Sequence, residues 1–155
     1  MIAVQSTKSN AVSKTVKKIQ SSPSTMQDIT IEPVKATTLA DSISVDMPRD
    51  GIAAVKAVLE SEGDAVEVDD EEILSAIRTL AGSMGIFAEP AGAASYAGLL
   101  KLKKEKKLSP EDEVVCLITG SGLKDIGAVM NYAGRPPVIE PTLQAARKII
   151  NERWK

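Results

Sequence analysis

Val114-Val115-Cys116-Leu117-Ile118-Thr119-Gly120-Ser121-Gly122-Leu123-Lys124-Asp125 is an apolar run that stops at a hydroxyl and two glycines. Five apolar residues in succession after Glu113 predict a strand over 113–119 buried on both faces, the pattern of a parallel sheet, and the glycines permit a sharp turn where it ends. Ligands of open α/β sheets sit beyond the carboxyl ends of the strands. Thr119 to Gly122 therefore mark the first place to look for function.

A second segment, Gly85-Ile86-Phe87-Ala88-Glu89-Pro90-Ala91-Gly92-Ala93-Ala94-Ser95-Tyr96-Ala97-Gly98-Leu99-Leu100-Lys101, bears on the same place. Proline is tolerated in a first helical turn and keeps the residue before it out of helical angles, so Glu89-Pro90 ends an extended piece at 86–88 and opens a helix. The small residues Gly92, Ala93, Ala94, Ala97 and Gly98 let that helix approach a sheet or a ligand closely. A glycine turn and a small-residue helix are also ordinary strand-to-helix packing, and these residues alone leave both readings open.

Outward from these segments, strands are expected at 2–5, 65–68 and 113–119, and helices at 9–20, 51–62, 70–83, 91–107 and 142–153. Strands alternating with helices imply parallel pairing, hence a three-layer α/β/α domain with a mainly parallel sheet over 1–155 and a helical tail at 126–155. Gly63 and Gly85 are the expected stops of the helices before them, and Ile73, Ile77, Leu80, Ala81 and Met84 form one apolar face. In the tail, Leu143, Ala146, Ile150 and Trp154 form a stripe that could dock on the domain or on a partner. Ser21-Ser22-Pro23-Ser24-Thr25 reads as a loop, and there is no internal repeat.

Composition narrows the chemistry. The chain has 155 residues, 43% hydrophobic and 26% charged, as in an ordinary globular domain with a real core. A net charge of −2 gives no general attraction for nucleic acid or an anionic membrane. No stretch approaches the roughly 18 apolar residues of a membrane span, and the N-terminus lacks the order of a signal peptide. One cysteine, Cys116, forms no internal disulfide and suits a reducing cytoplasm. The absence of histidine excludes Ser-His and Cys-His nucleophile pairs, histidine-containing metal sites and imidazole acid–base chemistry.

Asp69-Asp70-Glu71-Glu72 is the densest run of carboxylates, and it reads as a helix start rather than a metal site. Asp69 as N-cap with Glu72 three residues on makes a capping box, and acids suit the positive end of the helix dipole. Lys101, Lys103, Lys104, Lys106 and Lys107 fall at a helix C-terminus with no aromatic among them, which reads as a solvated end rather than a nucleic-acid patch. Lys14 lies on a helix whose Val12, Val16 and Ile19 follow helical spacing, so it reads as a solvated helix lysine.

GIFAEPAGAASYAGLLKL followed by VVCLITGSGLKD resembles the C-terminal part of threonine synthase, in the fold-type II family of pyridoxal-phosphate enzymes that also holds the threonine and serine dehydratases. Three further stretches agree in order: Met1 to Gln5 with the family's mid-chain IGVQ strand, Thr38 to Val45 with its TIADGIAV segment, and Val68 to Ile73 with its VSDEEI helix start. The likeness runs from Met1 to about Asp125 and then fades. GSGLKD favours the synthase over the dehydratases.

The resemblance implies pyridoxal phosphate as cofactor and assigns roles only where motifs match. Thr119 stands where a hydroxyl bonds the cofactor's pyridine nitrogen, Gly120, Ser121 and Gly122 form the turn beside the ring, and Glu89 stands near the same edge. Asp41 and Ser42 fall in a segment lining the cleft, with Ser42 replacing a common glycine. The family places its Schiff-base lysine and its phosphate-cradling glycine loop before the strand with which this chain begins, so no catalytic residue and no metal ligand is expected here. The expectation is a half-enzyme or a truncated product, acting with a complementary N-terminal half to convert O-phosphohomoserine to threonine and phosphate. The alternative is a non-catalytic small-ligand or regulatory module. A homo-oligomer is expected in either case, with Met130, Tyr132 or the terminal helix as contacts.

Overall fold

The computed structural model describes residues 1–22, 29–133 and 136–153. Positions 23–25 of the expected loop and Trp154 of the expected stripe lie outside them. The order is β1 (Ile2–Ser6), α1 (Ala11–Ser21), a 3-10 turn (Asp41–Ile43), α2 (Gly51–Glu60), β2 (Asp64–Val68), α3 (Asp70–Met84), α4 (Pro90–Lys104), a second 3-10 turn (Gly122–Lys124), α5 (Ile126–Ala133) and α6 (Leu143–Arg153).

β1 and β2 pair in parallel, with Ile2 opposite Asp64 and Ser6 opposite Val68. Side chains alternate across a strand. Ala3 and Ala65 accordingly join Val12, Val16 and Ile19 of α1 and Val55 and Val58 of α2 in one core. Val4 and Val68 face the other way, into Ile73, Ile77 and Leu80 of α3 and Ala93, Ala94 and Ala97 of α4. Helices thus cover both faces of a parallel ribbon, the α/β class expected. The approach of α4 depends on Gly98, where a Cβ would lie 2.5 Å from Val4 Cγ2.

The helix boundaries follow local chemistry. Asp69 accepts the Glu72 N–H at 2.8 Å, and the Glu72 carboxylate accepts the Asp69 N–H at 2.8 Å, closing the capping box. Gly85 ends α3 in the left-handed region at φ 68°. The end of α2 differs from expectation. There the left-handed residue is Glu62, and Gly63 is needed instead because a Cβ would lie 1.8 Å from the Met1 carbonyl oxygen.

Three further expectations are corrected. Residues 113–119 form no strand: among the described residues they have no ladder partner, and Val115 is 85% and Leu117 70% exposed. A run suited to burial on both faces stays outside a sheet when neither edge is paired and one face lacks cover. Cys116 is accordingly half-buried rather than deep. The apolar stripe of α3 is covered only through Leu80, since Ala81 and Met84 are exposed. Lys101 is not a solvated end; its ammonium donates to the Glu67 carbonyl at 2.6 Å and to Glu72 at 3.5 Å. Lys14 is exposed on α1, as expected.

Beyond the second 3-10 turn, α5 is an element that the apolar spacing did not announce. Asp125 begins it, accepting the Ala128 N–H at 3.2 Å. In α6, Leu143 is 75% exposed and Ile150 is also exposed, so its stripe is not docked on this chain through those residues. No helix among the described residues is long and apolar enough to cross a membrane.

Candidate functional site

The site is assembled by one antiparallel bridge, Ala88 with Ser121. The Glu89 N–H donates to the Gly120 carbonyl at 3.0 Å, and the Gly122 N–H donates to the Phe87 carbonyl at 2.8 Å. Proline at the first position of α4 leaves Glu89 extended at φ −69°, ψ 160°, which lets it pair with the glycine turn while its carbonyl starts the helix. The expected extended piece at 86–88 is therefore a single bridge rather than a strand.

Each glycine of the turn is held against a neighbour. A Cβ on Gly120 would lie 2.1 Å from Glu89 Oε1, and one on Gly122 would lie 2.5 Å from Phe87 Cε2. From the opposite side, a Cβ on Gly92 would lie 3.1 Å from Gly120 N. The turn is thus sandwiched between the Glu89 side chain and the first turn of α4, with no room for side chains on either wall. Ser121 caps the 3-10 turn that follows, its hydroxyl accepting the Leu123 N–H at 3.3 Å.

Glu89 is only 7% exposed, yet its carboxylate receives no hydrogen bond from any described residue. It opens into a hollow of about 300 Å³ lined by Asp41, Ser42, Glu89, Pro90, Ala91, Lys124 and Asp125. Asp41 and Ser42 are thereby brought to Glu89, as expected of a shared cleft. Lys124 and Asp125 join them there. Sequence reasoning did not single these two out, although their place directly after the glycine turn was the available signal.

Thr119 lies on the other side of the turn. It is exposed and lines a separate groove with β1 and α4, so the structure does not bring its hydroxyl into the Glu89 hollow. Like the Glu89 carboxylate, that hydroxyl has no hydrogen-bond partner among the described residues. Burial pushes the Cys116 thiol, three residues back, above its ordinary pKa, which makes it a poor nucleophile. Among the described residues no three Cys, Asp or Glu side chains are grouped to hold a metal.

The family model for pyridoxal-phosphate dependent enzymes matches residues 1–120, which takes in Ala88, Glu89 and the glycine turn as far as Gly120. The chain belongs to that family. This pyridoxal-phosphate-dependent enzyme family member is 39% identical over 115 residues to threonine synthase of Methanocaldococcus jannaschii, a match covering 74% of this chain and 28% of that protein. It is 41% identical over 109 residues to threonine synthase of Halalkalibacterium halodurans, covering 70% of this chain and 31% of that protein. The chain therefore spans less than a third of the length of these relatives. Among solved structures, maize serine racemase superposes with a TM-score of 0.58 at 19% identity over 85% of this chain and 37% of its own. An L-serine ammonia-lyase from Rhizomucor miehei gives 0.57 at 23% identity, covering 85% and 39%. These two likenesses establish the fold-type II architecture.

Pyridoxal phosphate is the cofactor of the family, and the residues of the turn fit one part of it. A flat heteroaromatic ring needs a wall without side chains and one polar group in reach of its nitrogen. Of these the described turn offers the second, the exposed Thr119 hydroxyl, which has no hydrogen-bond partner among the described residues, while the faces of Gly120 and Gly122 are already packed on Glu89 and Phe87.

Proposed function

We propose that this chain forms the ring-side wall of a threonine-synthase-like site, which converts O-phosphohomoserine and water to threonine and phosphate in the cytoplasm. The Schiff-base lysine and the phosphate-cradling loop are contributed by polypeptide that precedes the matched region in the relatives. The supporting observation is the pairing of Glu89 with Gly120 at 3.0 Å, which fixes the glycine turn beside two polar groups that have no hydrogen-bond partner among the described residues, the Thr119 hydroxyl and the Glu89 carboxylate.

When bound, pyridoxal phosphate supplies an electron sink for bond breaking at the substrate's α and β carbons. The role of this chain is to set how strong that sink is. Thr119 would hold the ring nitrogen through its hydroxyl, which, unlike a carboxylate, would not keep that nitrogen protonated. Gly120 and Gly122 let the turn pack directly on Glu89 and Phe87, and Glu89 braces it beside Thr119.

The test supplies the complementary N-terminal polypeptide and measures cofactor binding and phosphate release. Thr119→Val keeps the β-branched shape and deletes the hydroxyl. A lost hydrogen bond of roughly 0.5–1.5 kcal/mol, more if the nitrogen stays buried, corresponds to about a tenfold or greater rate loss with little change in folding. Unchanged turnover in the valine variant would refute the role of Thr119. If no complementing polypeptide restores activity, the small-ligand module is the correct reading.

A further inference from the structure

We propose that Asp70 is a positioning residue of the site: through Thr38 and Leu39 its carboxylate holds the segment 38–45 so that Asp41 and Ser42 stand beside Glu89 on the wall of its hollow. The inference rests on the threonine-synthase-like reading above and adds to it a residue that touches neither substrate nor cofactor.

Asp70 opens α3, yet its carboxylate does not serve the helix. The capping box is closed by Asp69 and Glu72, and the Asp70 oxygens turn instead to chain 32 residues upstream. Oδ1 accepts the Thr38 hydroxyl at 2.5 Å, Oδ2 accepts the Lys8 ammonium at 2.6 Å, and the Leu39 N–H donates to the same carboxylate. Burial pushes the Asp70 carboxyl up, but the hydrogen bonds from Lys8, Thr38 and Leu39 outweigh it and hold it below its ordinary 3.8. At neutral pH both oxygens are therefore acceptors. Lys8 adds a tie of its own, its carbonyl accepting the Thr37 N–H at 3.1 Å.

Ser9 fastens the other end of the segment. Its buried hydroxyl donates to the Ile43 carbonyl at 2.9 Å and accepts the Val45 N–H at 3.2 Å. Between the two ties Ala40 is wholly buried and Ile43 packs on the α3–α4 core, while Asp41 and Ser42 are exposed and line the hollow with Glu89 and Lys124. The side chains of Asp41 and Ser42 make no hydrogen bond among the described residues, so their own contacts do not fix where they stand. A segment whose regular structure is one 3-10 turn is held in place by what it is tied to. Asp70 gathers its donors on one charged group, and hydrogen bonds to a charged acceptor are about twice as strong as neutral ones. Its loss frees the segment more than the loss of a neutral tie.

An acid in the first turn of α3 also suits the helix dipole, and that role alone predicts a loss of stability with no change in 38–45. Thr38→Val separates the two roles, because it keeps the charge at the helix start and removes the tie. Residue-resolved amide exchange on the full chain reads the tie in wild type, Thr38→Val and Asp70→Ala. The reporters are the N–H groups of Ile43 and Ser44, which bond to the Ala40 and Asp41 carbonyls and lose no partner in either variant. Both should exchange at least tenfold faster in both variants, with Ile77 and Leu80 of α3 unchanged. Should Asp70→Ala fail to fold, Thr38→Val decides.

Mixed with the part of Methanocaldococcus jannaschii threonine synthase that precedes the matched segment, the same variants should raise KM for O-phosphohomoserine about tenfold and leave kcat within about twofold, the split expected when a binding wall shifts and the chemistry does not. Unchanged exchange at Ile43 and Ser44 overturns the inference even if the mixture is active, and the proposed function then survives. Exchange accelerated equally in α3 assigns Asp70 to the helix start and overturns it as well. Faster exchange with an unchanged KM, or with a fall in kcat alone, shows a tie that does not position the site and overturns it too. If the wild-type mixture releases no phosphate, the proposed function fails, and the exchange result alone decides whether Asp70 holds the segment at the hollow.

Discussion

Gly120→Ala separates the bracing of the turn from its folding. The new Cβ lies 2.1 Å from Glu89 Oε1, 2.2 Å from Cδ and 2.8 Å from Oε2. To reach an ordinary contact of about 3.5 Å, the carboxylate must retreat by about 1.4 Å. The φ of Gly120 lies outside the left-handed region, so the methyl group adds no backbone strain. The atoms in its way are the far end of a flexible side chain that has no hydrogen bond among the described residues to lose. Displacement into the hollow of about 300 Å³ therefore costs about 1 kcal/mol of off-rotamer strain, a fall in Tm of roughly 2–4 °C. In the reconstituted enzyme the same change moves the carboxylate off the turn, and turnover should fall by more than about tenfold, the equivalent of about 1.4 kcal/mol. Thermal melts of Gly120→Ala, Glu89→Ala and the double variant measure the contact, because removing the carboxylate relieves the clash and gives a coupling of about 1 kcal/mol. Additive effects, or a fall above about 10 °C in the single glycine variant, would show that the backbone moves instead and refute the argument.

Burial pushes the Glu67 carboxyl up, but hydrogen bonds from Lys17 and Ser13 at 2.7 Å and Asn10 at 3.1 Å outweigh it and hold it below its ordinary 4.5. A depressed carboxylate stabilises the fold above that value and loses its contribution as pH falls through the folded-state pKa. Glu67→Gln should therefore cost about 1–2 kcal/mol at pH 7 and flatten the acid limb of a urea-melt series below pH 4.5; an unchanged limb would disprove the assignment. Pyridoxal phosphate with borohydride should label the isolated chain at scattered surface lysines, and dominant trapping on one of them, Lys124 in the hollow above all, would contradict the assignment of the Schiff-base lysine to another polypeptide. Exposed Met130, Tyr132 and Leu143 lead us to expect a dimer or larger assembly in sedimentation, and a clean monomer at high micromolar concentration would count against it.

What could be read from the chain before its structure divides by the range of the interactions. The capping box of Asp69 and Glu72, the left-handed Gly85 and the buried face of Val12, Val16 and Ile19 each depend on residues within one or two helical turns, and each was legible. The close approach allowed by Gly92 and Gly98 was legible as small size, although its objects, the Thr119–Gly120 backbone and Val4, were not. Lys101 escaped because its partner, the Glu67 carbonyl, is 34 residues away. α5 escaped because its signal is a single cap, Asp125, before a segment with no clear apolar period. At the site, the resemblance pointed to Glu89 and the glycine turn, and the bridge between Ala88 and Ser121 shows how they meet. It did not show that Thr119 and Glu89 face different cavities.

The one large disagreement, the missing strand over 113–119, is itself informative. Side-chain pattern reports the environment in which a segment is most stable, whereas pairing requires edges that only other segments can offer. A stretch composed for burial on both faces that instead presents Val115 and Leu117 to solvent has the composition of a central strand and the surroundings of a surface. Transfer of those two side chains from water is worth roughly 1.5–3 kcal/mol each, so any sheet that encloses them gains about 3–6 kcal/mol before its hydrogen bonds are counted. That gain is sufficient to couple completion of the sheet to completion of the site, because the strand that would become buried runs directly into Thr119 and Gly120. The Thr119 hydroxyl and the exposed Val115 and Leu117 belong to one continuous segment, so a contact that orders the run also orders the start of the turn.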